Sequence, residues 1–360
     1  MAKAAVLVSE GVVETREVPI FEPEAGGALV RIELGGVCGT DLHMIHRLAY
    51  EYPLPIILGH EGIGRIEKLG AGMDRDHAGE PIKVGDRVYW SPMVACNQCY
   101  TCTILESSPC EKAAHFAEAD KPSWCSHADY GWLPRGMPFF KVPEGASLDA
   151  IIALGCALPT AVGSIDVAGG IKFGERVVVQ GAGPVGLAAT LVANVSGARR
   201  IIVIDNNKIR LERARLIGAT DTLSLEELTP EERKNAVMDA CGASGPDLVV
   251  EAAGHLSAFP EGVALGGQAG RYCVAGLWGA AGEVSFEPRQ LVLKNFSVRG
   301  SMAPRAKHYY RALHLAVDMA HKVPLANLIT HRFGLNQAAD AYAAVTGGEA
   351  VKVIFDMSIS

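Results

Sequence analysis

Glu175-Arg176-Val177-Val178-Val179-Gln180-Gly181-Ala182-Gly183-Pro184-Val185-Gly186 reads as a strand, a tight turn and the first turn of a helix. Three consecutive valines suit a strand buried on both faces. A helical run follows over 187–196, then a second apolar strand over 200–205 that ends on Asp205, 19 residues past Gly186. A G-x-G-x-x-G alone is weak. Between a strand and a helix, with an acid closing the next strand, it is a dinucleotide-binding signature. The glycines permit the turn and let backbone N–H groups approach a pyrophosphate at the helix N-terminus. Further strands are expected at 247–251, 271–275 and 297–299. That alternation of strands and helices predicts a parallel, doubly wound sheet.

Upstream, the chain to about residue 155 has a different texture. Short β-type runs at 4–8, 28–34, 62–69 and 87–91 alternate with turn signals such as Gly26-Gly27, Gly70-Ala71-Gly72 and Lys83-Val84-Gly85-Asp86. This predicts a compact, β-rich domain, in part barrel-like. Inside it, Cys96, Cys99, Cys102 and Cys110 have the spacing C-x2-C-x2-C-x7-C. Four thiolates in one lobe suit a closed tetrahedral metal site. Downstream, 303–321 and 336–346 read as helices and 350–355 as a last strand.

Bulk properties exclude several classes. The 360 residues are 49% hydrophobic and 20% charged, as in an ordinary globular protein. A net charge of −7 with no basic run argues against nucleic acid as a partner. The N-terminal apolar run is too short for a signal-peptide core, and no run reaches membrane-spanning length, so a cytoplasmic protein with no membrane partner is expected. Four of the nine cysteines fall within fifteen residues, which points to metal rather than disulfides. No role is assigned to Cys125, Cys241 or Cys273.

A second set of ligands is dispersed. Gly36-Val37-Cys38-Gly39-Thr40-Asp41-Leu42-His43 is answered by Gly59-His60-Glu61-Gly62 and by Gly155-Cys156-Ala157-Leu158-Pro159-Thr160. Singly, Cys38 reads as a small buried hydrophobe, His60 as a core histidine and Cys156 as a helix-packing residue. Together, three soft ligands with one position left open make a catalytic zinc site.

These motifs, with the four-cysteine lobe and the glycine turn, resemble the zinc-dependent medium-chain dehydrogenase/reductase family, the alcohol dehydrogenases, over essentially the whole chain. The resemblance implies an α/β protein. A GroES-like catalytic domain would span 1–157 and 301–360 with a structural-zinc lobe, and a Rossmann NAD-binding domain 158–300. It implies two Zn2+ per chain: one on Cys38, His60 and Cys156, with Glu61 beside it as a possible fourth ligand, and one on Cys96, Cys99, Cys102 and Cys110. Lewis-acid coordination lowers the pKa of a bound hydroxyl, as it brings that of bound water down to about 7. Thr40 matches the family's Ser/Thr that hydrogen-bonds the substrate hydroxyl, and His43 the histidine that relays its proton. Asp41 reads as a turn-fixing acid.

For the cofactor, Gly181, Gly183, Pro184, Val185 and Gly186 would face the pyrophosphate and Asp205 the adenosine ribose. No arginine follows the acid, since Asn206-Asn207-Lys208 comes next, so NAD is expected over NADP. Lys208 and Arg210 are candidates to cover the ribose, and Thr160 lies on the third-ligand turn. Lys352 resembles the family's pyrophosphate-facing cation, with an edge-strand charge as the plainer alternative.

The expected activity is hydride transfer between an alcohol and NAD. Trp90, Pro92, Trp124, Trp132 and Met302, among aromatics that include Phe116, suggest a hydrophobic or cyclic secondary alcohol as substrate. A polyol or amino-alcohol dehydrogenase of the same family is the alternative. A non-catalytic nucleotide-binding relative is the remote one, disfavoured by two intact ligand sets. A homodimer or homotetramer is expected.

Overall fold

A computed structural model describes residues 1–46, 52, 54–112, 125–348 and 350–359, without the Trp278 side chain. Phe116 and Trp124 lie outside the described residues. Packing divides the chain into two compact units, Met1–Cys156 with Arg305–Ser360, and Ala157–Pro304.

The first unit is mostly antiparallel. Strands β1 (Ala2–Ser9) and β2 (Val12–Val18) form a hairpin, and β4 (Ile56–Ile57) flanks β1 on its other side. The larger sheet is built on β3 (Ala28–Gly36), which pairs with β5 (Glu61–Leu69) and, in part, β7 (Tyr130–Leu133). Beyond β5 lie β6 (Arg87–Trp90) and β8 (Phe139–Lys141). Ala28, Val30 and Ile32 point to one face, as a period of two requires, and pack with Ile66, Val88, Trp90, Leu133 and Phe139. Among the described residues, three short helices punctuate the strands: α1 (Gly39–Ile45), α2 (Tyr100–Thr103) and α3 (Leu148–Ile152).

The second unit begins with α4 (Ala157–Val167). Then come β9 (Arg176–Gln180), α5 (Pro184–Val195), β10 (Arg200–Asp205), α6 (Lys208–Leu216), β11 (Asp221–Ser224) and α7 (Pro230–Cys241). The rest is β12 (Leu248–Glu251), α8 (Ala258–Leu265), β13 (Arg271–Val274), α9 (Arg289–Lys294) and β14 (Ser297–Gly300). All pairings are parallel, in the order β11-β10-β9-β12-β13-β14. That is the doubly wound dinucleotide-binding order, with the switch point between β9 and β12. Val177, Val178 and Val179 are completely buried, because helices cover both faces of a central parallel strand. Proline at the first helical position starts α5, and a Thr229–Glu232 capping box starts α7.

The chain then returns to the first unit as α10 (Ala306–Met319), β15 (Ile329–Phe333), α11 (Ala338–Thr346) and β16 (Lys352–Asp356). β16 lies between β15 and β3, so the sheet runs β15-β16-β3-β5-β6-β8 with β7 beside β3. The last helix therefore packs near the ligand-bearing turns, where Tyr342 joins Val37, Met44, Leu58 and Phe355 in one core. Among the described residues, no helix is long and apolar enough to cross a membrane.

Candidate active site

Cys38 caps α1 where β3 ends, His60 precedes β5 and Cys156 follows α3. One ligand atom from each, with a carboxylate oxygen of Glu61, falls within a mutual 4.8 Å. The two sulfurs are 3.4 Å apart. Tetrahedral thiolates at about 2.3 Å from zinc would stand about 3.8 Å apart, so the donors are already gathered to the dimensions of one ion.

Asp41 holds the cluster from behind. Its side chain is fully buried; Oδ2 accepts from the Cys38 backbone N–H at 2.8 Å, and Oδ1 lies 3.3 Å from His60 Nδ1. This occupies Nδ1 and leaves Nε2 for a metal, the usual carboxylate–histidine–metal relay. Asp41 thus does more than fix a turn. The hint was local: an acid three residues after a ligand, in the first turn of a helix.

Glu61 pairs with Lys352, whose ammonium also donates to Val37 O at 3.2 Å. Lys352 is buried on a strand paired on both sides, which removes the edge-strand reading, and its ammonium is committed to Glu61 rather than aimed only at a cofactor. Gly36 and Gly155 border the Glu61 carboxylate so closely that a Cβ on either would overlap it. The glycine before each thiolate turn therefore makes room for that acid. Tyr89 adds a hydrogen bond to Gly155 O at 2.8 Å.

The electrostatics favour a cation. The hydrogen bond from Cys156 draws the Cys38 thiol well below its ordinary value, and the same bond together with burial pushes Cys156 well above. Burial opposes ionisation of Glu61, yet Lys352 and His60 hold its carboxyl low. Burial works against the charged forms of His60 and Lys352, but the surrounding anions raise both. Cys38, Asp41 and Glu61 face the charges of His60 and Lys352, and a divalent ion would take the place of the protons on His60 and Cys156, since both must lose them to ligate. The donor set fits zinc.

Thr40 Oγ1 lies 3.6 Å from Cys38 Sγ, and His43 is half-buried one helical turn further along α1. One pocket-lining expectation is corrected. Trp90 is completely buried in the sheet core, where its ring fills the space a Gly62 Cβ would need. Trp132 alternates with the core residue Leu133 on β7 and is half-buried on the opposite face.

Cys96, Cys99, Cys102 and Cys110 form the second cluster, again within 4.8 Å, with Cys99 and Cys110 sulfurs 3.9 Å apart. The backbone N–H groups of Cys96 and Lys112 donate to Cys110 Sγ at 3.4 and 3.3 Å, and Gln98 N–H donates to Cys96 Sγ at 3.4 Å. Burial raises the Cys99 thiol, but backbone hydrogen bonds outweigh it and hold the thiol at about 6, as a thiolate ligand requires. Cys125, Cys241 and Cys273 lie apart from both sets as buried thiols, the last donating to Ser164 O at 3.1 Å.

In the second unit, Gly181 has a φ of +93° and a Cβ there would meet Ala253 backbone atoms at 2.7 Å. A Cβ on Gly183 would meet nothing within 4 Å, leaving an open approach for a pyrophosphate over the α5 N-terminus. Asp205 Oδ2 accepts from Ala182 N–H at 2.6 Å and Oδ1 from Asn207 N–H at 2.7 Å, so the acid also ties the glycine turn to β10. Asn206 is exposed, and Arg210 and Thr160 are half-buried on α6 and α4. Lys208 pairs with Glu227 at 2.9 Å. Sequence reading missed Glu251, whose buried carboxylate accepts from Ala253, Gly254 and Gly276 N–H groups at 2.9, 2.7 and 2.9 Å.

A dinucleotide fold and a β-rich unit carrying two gathered donor clusters, in one chain, define a metal-assisted dehydrogenase. The alcohol dehydrogenase GroES-like domain matches residues 24–144 and the zinc-binding dehydrogenase domain residues 184–319. The chain is 52% identical to 5-exo-hydroxycamphor dehydrogenase from Pseudomonas putida, over 99% of each chain. It is 30% identical to sorbitol dehydrogenase from Halalkalibacterium halodurans, over 92% and 93%. An alcohol dehydrogenase structure from Thermotoga maritima superposes with a TM-score of 0.92 at 33% identity, over 99% of each chain. The chain belongs to the zinc-dependent medium-chain dehydrogenase/reductase family, the alcohol dehydrogenases. It is an oxidoreductase of alcohols and carbonyls that uses zinc and a nicotinamide dinucleotide.

Proposed function

We propose that the enzyme oxidises a bulky, apolar, cyclic secondary alcohol to its ketone, with NAD rather than NADP as acceptor. The observation that carries the substrate class is the 52% identity, end to end, with an enzyme named for hydroxycamphor; identity to the sorbitol enzyme is far lower.

Cys38, His60 and Cys156 would hold the catalytic zinc, with Asp41 orienting His60 and Lys352 balancing Glu61. When bound, zinc would supply Lewis acidity to the substrate hydroxyl and NAD would serve as the hydride acceptor. Thr40, which can donate and accept at once, takes the hydroxyl proton without itself ionising, and His43 passes it towards solvent. Gly181, Gly183, Pro184, Val185 and Gly186 cradle the pyrophosphate. Asp205 and Asn206 meet the adenosine ribose, with Arg210 and Thr160 as flanking contacts. Residues 1–157 with 301–360 would act as the catalytic domain and 158–300 as the cofactor domain. Assembly as a homodimer or homotetramer in the cytoplasm is proposed on family resemblance alone.

The test is a panel of bicyclic secondary alcohols, sorbitol, threonine and ethanol, each with NAD, followed by the absorbance of the reduced cofactor. A bicyclic alcohol should give the highest kcat/KM. A clear preference for sorbitol or threonine would displace this reading in favour of the polyol or amino-alcohol one.

A further inference from the structure

His127 takes no part in the chemistry above, yet it is completely buried against the two turns that deliver Cys38 and His60. Its Nε2 lies 2.9 Å from Gly36 O, two residues before Cys38. Its Cδ2 and Cγ press on Gly59, one residue before His60, so closely that a Cβ there would meet them at 2.5 Å. Gly59 has a φ of +91°, so glycine is required both by the backbone and by the ring beside it.

The far side of the imidazole is also fixed. Nδ1 lies 2.7 Å from the Tyr342 hydroxyl, 215 residues away on α11, and the ring packs edge-on against Phe355 with centroids 4.7 Å apart. A carbonyl can only accept, so Nε2 carries a proton. Burial disfavours the charged ring, so Nδ1 accepts from the Tyr342 O–H. One tautomer satisfies both partners.

We infer that His127, clamped by Tyr342, is a positioning residue that sets the separation of Cys38 and His60. This rests on the reading of Cys38, His60 and Cys156 as a zinc site. The His127 side chain bonds Gly36 O and its backbone N–H donates to Leu58 O at 3.3 Å, so this residue tethers the two turns to each other; losing the Nε2 bond loosens the open metal site and leaves the four-cysteine lobe, built on other segments, untouched. Residues behind metal ligands typically matter by about 10–100-fold in metal affinity.

The experiment follows zinc release from the holoenzyme into a chromogenic chelator, with Cys38→Ser identifying the phase that belongs to the open site. His127→Phe keeps the ring and deletes both hydrogen bonds; Tyr342→Phe deletes one hydroxyl. His127→Phe should accelerate the open-site phase by about tenfold or more and Tyr342→Phe by less, with the other phase unchanged. Cobalt substituted into the open site should show altered d–d bands in both variants. Wild-type release rates and spectra in both variants would overturn the proposal, as would equal acceleration of both phases, which marks general destabilisation. If His127→Phe does not fold, Tyr342→Phe decides on the same readouts. A wild type without any phase lost in Cys38→Ser would instead refute the zinc site itself, and the positioning role with it.

Discussion

Lys352 and Glu61, 291 residues apart in the chain, form a buried ion pair beside the gathered metal ligands. Such a pair contributes little net stability against apolar replacements, but removing one partner strands the other charge. Lys352→Met should therefore cost about 3–5 kcal/mol in urea unfolding, and the double change with Glu61→Gln should cost less than Lys352→Met alone. Wild-type stability of Lys352→Met would show that the pair has no structural role.

Asp41 sets an acid limit. Burial opposes its ionisation, but the His60 charge and hydrogen bonds bring its carboxyl from 3.8 down to about 2. A depressed folded pKa contributes stability above the unfolded value, and that contribution disappears as pH falls from about 4 towards about 2. The shift corresponds to about 2 kcal/mol. In metal-stripped protein, Asp41→Asn should be less stable than wild type near neutrality by about that amount, with the gap closing at about pH 2. A gap that persists unchanged in acid would assign the loss to packing.

Two zinc ions per chain are expected, because two separate donor sets are gathered. Elemental analysis after dialysis should give two, and one in Cys38→Ser. Cys102→Ser or Cys110→Ser should lower thermal stability, since a closed site holds its lobe together, whereas Cys38→Ser should abolish turnover with a smaller loss of stability. A single zinc in the wild type would contradict one of the sites.

The proton path is tested at α1. Thr40→Ala should reduce kcat by about 10²–10⁴-fold, and Thr40→Ser should retain much of the rate, because only the hydroxyl is used. His43→Gln should slow turnover chiefly at lower pH, where solvent base is scarce. Near-wild-type turnover in Thr40→Ala would place the proton exit elsewhere.

Cofactor choice turns on Asp205. A 2′-phosphate near its carboxylate sets like charges together in a partly desolvated crevice. Asp205→Ala should narrow the NAD preference mainly by weakening NAD, the more so because Ala182 N–H loses its acceptor. Asp205→Gly with Asn206→Arg should move the preference towards NADP through bidentate pairing with phosphate. Comparing kcat/KM for both cofactors on one alcohol decides this, and a wild type favouring NADP would remove the role given to Asp205.

What the sequence determined by itself is what local spacing can encode. The C-x2-C-x2-C-x7-C lobe, the glycine turn between Gln180 and Leu187, and the ligand turns at Cys38, His60 and Cys156 all depend on residues a few positions apart, and each was legible before any coordinates. Only the tertiary structure decided which distant side chains meet behind those turns. Lys352 on Glu61, Asp41 on His60 and Tyr342 on His127 join segments separated by 19 to 291 residues. Trp90 likewise looked like a pocket residue until the sheet enclosed it. The physical reason is that burial and charge pairing are set by packing across the fold. A lysine, a tyrosine or a tryptophan carries no mark in its neighbouring residues of which partner the folded chain will bring to it.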